Sequence, residues 1–149
     1  MTHAASYIAH GLALCAIKPG TKQPKGENWQ HSPRSATHWE SHPDDGIGLI
    51  HQHSGTCSLD IDDYQAARQA LAAILVDLDD ELASGVQIVS GQDNRAKLLY
   101  RAPADLPQQR HALAWPDPDN PKKRRTVIEL RAGLVQDILP PSIHPSGQP

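Results

Sequence analysis

Cys57-Ser58-Leu59-Asp60-Ile61-Asp62 alternates apolar and polar residues with a period of two, the pattern of a strand with one face against a core. Cys57, Leu59 and Ile61 take the buried face, which puts Ser58, Asp60 and Asp62 together on the other. Two carboxylates two residues apart on one strand face lie about 7 Å apart, and a cation held between them relieves their repulsion. A pair of divalent ions bridged by such carboxylates is a recurrent device for in-line phosphoryl or nucleotidyl transfer. The competing reading is equally simple: the strand ends in a turn, and Asp62 and Asp63 cap the helix that follows.

Working outward, Ala67, Leu71, Ile74, Leu75, Leu78 and Leu82 recur at helical spacing and predict one long helix over 63–83. Upstream, segments 46–51 and 56–61 flank Ser54-Gly55 and read as a hairpin. Residues 3–17 predict a short amphipathic helix running into a strand over 12–17, ended by Pro19-Gly20. The polar stretch 18–45 carries Trp29, Trp39 and a short helix near 35–41. Downstream come strands over 86–89 and 97–101, joined by a polar turn, then a Pro- and Asp-rich loop over 102–125 that holds Trp115. The last strands, 126–131 and 134–139, are separated at Gly133 and stopped by Pro140-Pro141. The sum is one α/β (α+β) domain over 1–149. It has a largely antiparallel mixed sheet, the long helix on one face, and a shorter helix near the N-terminus.

A chain of 149 residues is long enough for a real core, and with no Phe that core must be mostly Leu, Ile, Val and Ala. Thirteen prolines and ten glycines imply many loops. No apolar run reaches the length of a membrane span, and no secretion-signal pattern opens the chain, so a cytoplasmic protein is expected. Cys15 and Cys57 sit in apolar surroundings and read as reduced core residues. A net charge of -3 argues against a generally basic, nucleic-acid-coating surface. Its distribution matters more: Lys122, Lys123, Arg124 and Arg125 form a basic run able to hold a polyanion along one channel, or an ordinary solvated loop. Lys18 and Lys22 leave the same two readings open.

A second acidic strand runs through Val127-Ile128-Glu129-Leu130-Arg131, with Glu129 on the face of Val127 and Arg131. If it neighbours the Asp60 strand, three carboxylates converge on one surface, enough to ligate two hard cations. The alternative pairs Glu129 with Arg131 on an exposed face. His51 and His53 do not make a zinc site, because no Cys or third His lies at a ligand spacing.

Five segments stand out in order: the stretch from Gly11 through Lys18, Lys22 and Pro24 to Trp29; Gly46 to Ile50 leading into Leu59-Asp60-Ile61-Asp62; Ser90-Gly91 through Lys97 to Arg101; Ile128-Glu129-Leu130-Arg131; and Pro140 through Ser142 and His144 to Gly147. Together they resemble the primase-polymerase domain of the archaeo-eukaryotic primase superfamily, found at the N-terminus of plasmid and phage replication proteins. The resemblance implies a DNA primase/polymerase carrying out two-metal, template-directed nucleotidyl transfer. Asp60, Asp62 and Glu129 would be the catalytic metal ligands for Mg2+ or Mn2+. Many members carry a His in the second motif where this chain has Lys97, so Lys97 and Arg95 become the phosphate-binding residues, with Arg131, Ser142 and His144 bordering the same nucleotide pocket. Single-stranded DNA template would pass Lys122, Lys123, Arg124 and Arg125, with Trp115 a stacking platform or a core plug. The partners implied are that template, NTP or dNTP, and a C-terminal helicase domain or partner helicase, the chain being an N-terminal part of a longer replication protein. Two other functions share these residues: a metal-dependent nuclease, and a catalytically silent single-strand-binding module of a replication initiator.

Overall fold

Antiparallel pairing builds two sheets in the computed structural model, which describes residues 2–143. The chain runs through α1 (His3–Ala9), β1 (Leu14–Ile17), a 3-10 turn (Trp29–His31), α2 (Thr37–Ser41), β2 (Gly46–Ile50), α3 (His51–Ser54) and β3 (Thr56–Ile61). It continues through α4 (Tyr64–Ala72), α5 (Leu78–Ser84), β4 (Val86–Gln87), β5 (Ala96–Arg101), β6 (Gln109–Pro116), β7 (Arg124–Ala132) and β8 (Gln136–Leu139). One sheet has the order β1-β2-β8, the other β4-β5-β3-β7-β6. The α+β class is as expected, and the Asp60 strand lies at the centre of the larger sheet.

The two faces of β3 do different jobs, as its alternation requires. Ile61 joins Leu98, Val127 and Ile128 in a core cluster with Ala66 and Ala67 of α4 and Leu78 of α5, and Leu59 packs on it. The opposite face carries Ser58 and Asp60, flanked in register by Leu99 and Lys97 of β5 and by Arg131 and Glu129 of β7. Leu99 packs against a second cluster, Leu14, Ala16, Ile47, Leu49 and Leu139, drawn from all three strands of the smaller sheet. The polar face of β3 therefore looks toward the smaller sheet, and a cleft opens between them.

Four readings of the sequence are corrected. Segments 46–51 and 56–61 do not form a hairpin, because residues 51–54 make a helical turn in which Ser54 Oγ donates to Ile50 O (2.7 Å) and accepts from Ala13 N (2.9 Å). Gly55 closes that turn with φ +60, in the left-handed region, and delivers the chain into the other sheet. Segment 63–83 is two helices. Leu75 adopts φ +62, and Asp77 begins α5 by accepting from the backbone N–H groups of Asp79 and Asp80. The apolar spacing runs across the break, leaving Ile74 and Leu75 exposed while Leu78 is buried.

Residues 102–125 contain β6, which pairs with β7 at the sheet edge and ends at Pro116, where no ladder donor is needed. Within that pairing the register passes from Leu113↔Ile128 to Ala114↔Thr126 and skips Val127. This bulge lets Val127 and Ile128 both enter the core, so Val127 does not share the face of Glu129.

Candidate active site

Asp60 stands opposite Lys97 on one side and Glu129 on the other, so the central strand brings two of the three acids to neighbouring positions. Asp62 follows the end of β3, held there by its backbone N–H to Val127 O (2.9 Å). Of the two residues read as helix caps, Asp63 alone takes that role. Asp63 caps α4, its Oδ1 accepting from Ala66 N at 3.1 Å, while the Asp62 carboxylate turns away and pairs with Arg95.

Each acid is met by a cation. Lys97 Nζ lies 3.1 Å from Asp60 Oδ2. Glu129 takes Arg110 on both oxygens, its Nη2 reaching Oε2 at 3.4 Å, and Arg131 Nη1 on Oε2 at 3.0 Å. Burial would raise the Glu129 pKa, but hydrogen bonds from Arg110 and Arg131 and their charges hold it below the ordinary range. Asp62 goes the other way. Burial, then the charge of Asp60 and more weakly that of Glu129, push it up against the opposing pull of Arg95. Asp62 thus registers the negative potential of its two neighbours.

Beneath these pairs lies Asp137 of β8, which the sequence reading passed over. It is 2% exposed, and it reaches from the smaller sheet to four side chains. Oδ2 accepts from Ser58 Oγ and from His51 Nε2 (2.9 Å); Oδ1 meets Lys97 Nζ at 2.6 Å and Arg131 Nε at 3.0 Å. The Arg131 contact is an ion pair off the N–H axis, so no hydrogen bond forms at Nε. Burial would raise the Asp137 pKa, but the His51 hydrogen bond and the charges of Lys97 and Arg131 outweigh it and hold the carboxyl far below the usual range. Because a carboxylate only accepts, His51 Nε2 carries the proton, and its Nδ1 meets Thr56 Oγ1 at 2.9 Å. His51 and Ser58 are fully buried.

The cleft between the sheets is lined by Asp60, Arg95, Lys97, Arg131, Asp137 and Ser142, among others. Five expected site residues thus share it: Asp60, Arg95, Lys97, Arg131 and Ser142. The Ser142 hydroxyl is engaged at the rim, accepting from Ile47 N at 2.7 Å. His144 lies outside the described residues. Of the basic run, Lys122 and Lys123 are exposed at the β6–β7 turn, whereas Arg124 donates to Ala114 O and Arg125 pairs with Asp63, so its second half anchors the hairpin.

Asp60, Asp62 and Glu129 are hard oxygen donors of the kind magnesium and manganese select. Asp62 feels the charges of Asp60 and Glu129, which a cation among the three would offset. Among the described residues no three His, Cys, Asp or Glu side chains are already gathered into a ligand cluster, because each acid is turned to its own Lys or Arg. The donor chemistry fits such ions, and holding them requires an exchange of partners.

The sequence matches the family model of the bifunctional DNA primase/polymerase, N-terminal domain, over residues 4–149. The chain belongs to this family. Among curated proteins none matches it. The family assignment gives the primase-polymerase domain a primase/polymerase role and chemistry that is generally metal-dependent. It accords with a fold in which residues 59–61 of the second resembling segment meet the third and fourth segments on one sheet, as β3, β5 and β7. Among the described residues no helix is long and apolar enough to cross a membrane.

Proposed function

We propose that this primase-polymerase domain adds nucleotides to a DNA chain, each chosen by a single-stranded template, in the replication of a plasmid, phage or mobile element. Asp60, Asp62 and Glu129 would hold Mg2+ or Mn2+, as their donor chemistry suits. Such ions, when bound, lower the pKa of an attacking hydroxyl and neutralise charge on a leaving pyrophosphate. Lys97, Arg95 and Arg131 would bind the phosphate oxygens of the incoming NTP or dNTP, Lys97 as a point charge. Their task is to fix the α-phosphorus in line with the 3′-hydroxyl, so that the P–O bond to pyrophosphate breaks as the new ester forms. No side-chain nucleophile is needed. Lys122 and Lys123, exposed at the β6–β7 turn, would take the template backbone.

The observation that carries the reading is the register of Asp60 against Glu129 beside a cleft lined by Lys97, Arg95 and Arg131. Incubation with primed template, Mn2+ and labelled nucleotides tests it. Extension supports the proposal, shortening of the primer supports a nuclease, and binding without either supports a silent DNA-binding module. Asp60→Ala combined with Asp62→Ala should abolish extension and spare template binding; synthesis retained in that variant refutes the assignment.

A further inference from the structure

We infer that Asp137 is a positioning residue that keeps Lys97 and Arg131 in place while Asp60 and Glu129 turn to a divalent cation, an inference that rests on the metal-ligand reading proposed above. Each of these two cations is shared between Asp137 and one of the proposed ligands. Lys97 Nζ lies 2.6 Å from Asp137 Oδ1 and 3.1 Å from Asp60 Oδ2. Arg131 lies 3.0 Å from Asp137 through Nε and 3.0 Å from Glu129 through Nη1. The sharing is unequal. The Asp137 side chain is 1% exposed, so losing its cations would strand a charge that water cannot reach. The Asp60 side chain is 24% exposed at the cleft and can trade Lys97 for another cation.

Ser58 and His51 fix the arrangement from below. They occupy Oδ2 of Asp137 and leave Oδ1 for the two cations. Without the charge at position 137, Lys97 and Arg131 have only Asp60 and Glu129 to pair with, and they compete with the metal for those oxygens. With it, both cations remain at the cleft wall when a metal arrives, where a triphosphate can meet them.

The test measures Mn2+ binding to the whole chain by electron paramagnetic resonance of the free ion, with neither nucleotide nor DNA present. Asp137→Asn should weaken binding by about tenfold or more, the range found when a residue supporting a metal ligand is lost. In a Lys97→Met background the same change should cost clearly less, since one competing cation is gone. An unchanged affinity in Asp137→Asn, or an equal loss in both backgrounds, overturns the inference. Should Asp137→Asn fail to fold by circular dichroism, Lys97→Met alone decides. Binding as tight as wild type or tighter supports the inference, and weaker binding overturns it. Wild-type affinity that is absent, or indifferent to Asp60→Asn with Asp62→Asn, overturns the metal-ligand reading itself and this inference with it.

Discussion

Asp62 and Asp63 are neighbours in sequence with different partners, and substituting them separately should split stability from the activity proposed above. Asp63 is 5% exposed and makes three contacts: the cap to Ala66 N at 3.1 Å, a long bond from Asn94 Nδ2 at 3.4 Å, and the pair with Arg125. Losing the cap costs about 1 kcal/mol. Arg125 is 45% exposed, so its pair is screened and adds up to about 1 kcal/mol. Asp63→Ala should therefore cost about 1.5–2 kcal/mol, a fall of about 5 °C in Tm for a chain of this size. Asp63→Asn keeps the cap and should lose less than half of that.

Asp62→Ala has a different expected outcome. Its raised pKa means that the folded state disfavours the charged carboxylate, so removal should move stability by no more than about 0.5 kcal/mol. Primer extension should vanish in Asp62→Ala and persist in Asp63→Asn. Thermal unfolding by circular dichroism, run beside the extension assay, reads both. Equal destabilisation by the two alanines, or a larger loss in Asp63→Asn than in Asp63→Ala, would refute the division of labour.

Gly48 sits at the centre of the smaller sheet, where an added Cβ would stand 2.7 Å from Cys15 Sγ and 2.8 Å from Ile17 Cδ1. Gly48→Ala should cost about 1–3 kcal/mol by urea titration, and Cys15→Ala should recover part of it; a neutral Gly48→Ala removes the steric argument. Replacing Lys122 and Lys123 by Gln should lower the slope of log affinity against log salt for single-stranded DNA by about 1.4, at about 0.7 per phosphate contact, with an unchanged slope excluding the β6–β7 turn from the DNA path. Acid should unfold the protein through its engaged carboxylates. Asp45, bound by Lys25 (3.0 Å) and His38 (2.9 Å), and Asp63, Glu129 and Asp137 all have folded-state values below the ordinary range. Their contribution is complete above that range and is lost as pH falls through the folded values, while Asp62, shifted upward, contributes with the opposite sign. Urea midpoints should hold from pH 7 to about 5 and fall below about 4, and a stability maximum under pH 4 contradicts this.

The strands that carry the acids are legible because alternation in 57–62 and 128–131 is a local signal and both faces are chemically distinct. Which strands pair was less so. Ser54-Gly55 looks like the turn of a hairpin, yet β2 pairs with β8, nearly ninety residues away, and no local pattern announces that. β6 was hidden by its irregular alternation and by the Pro- and Asp-rich stretches on either side. Helical spacing carried the 63–83 reading across Leu75, where a left-handed residue and the Asp77 cap divide it.

At the site, the D-x-D strand and Glu129 stood out because charges in strand centres are conspicuous. Asp137 did not, although an Asp before Ile138 and Leu139 in an apolar strand is the same kind of anomaly. Its meaning depends on Lys97 and Arg131, which reach it from the other sheet. His51 carries the same signal directly after apolar β2.

The two thiols fall one to each sheet, Cys15 in β1 and Cys57 in β3, both unpaired and buried. Burial pushes Cys15 up to about 12, so neither the folded environment nor neutral solvent favours its thiolate. A disulfide reagent can therefore label each cysteine only when its own sheet opens, and single-cysteine variants become a pair of built-in clocks. Comparing their labelling rates would show whether the walls of the cleft breathe together or apart.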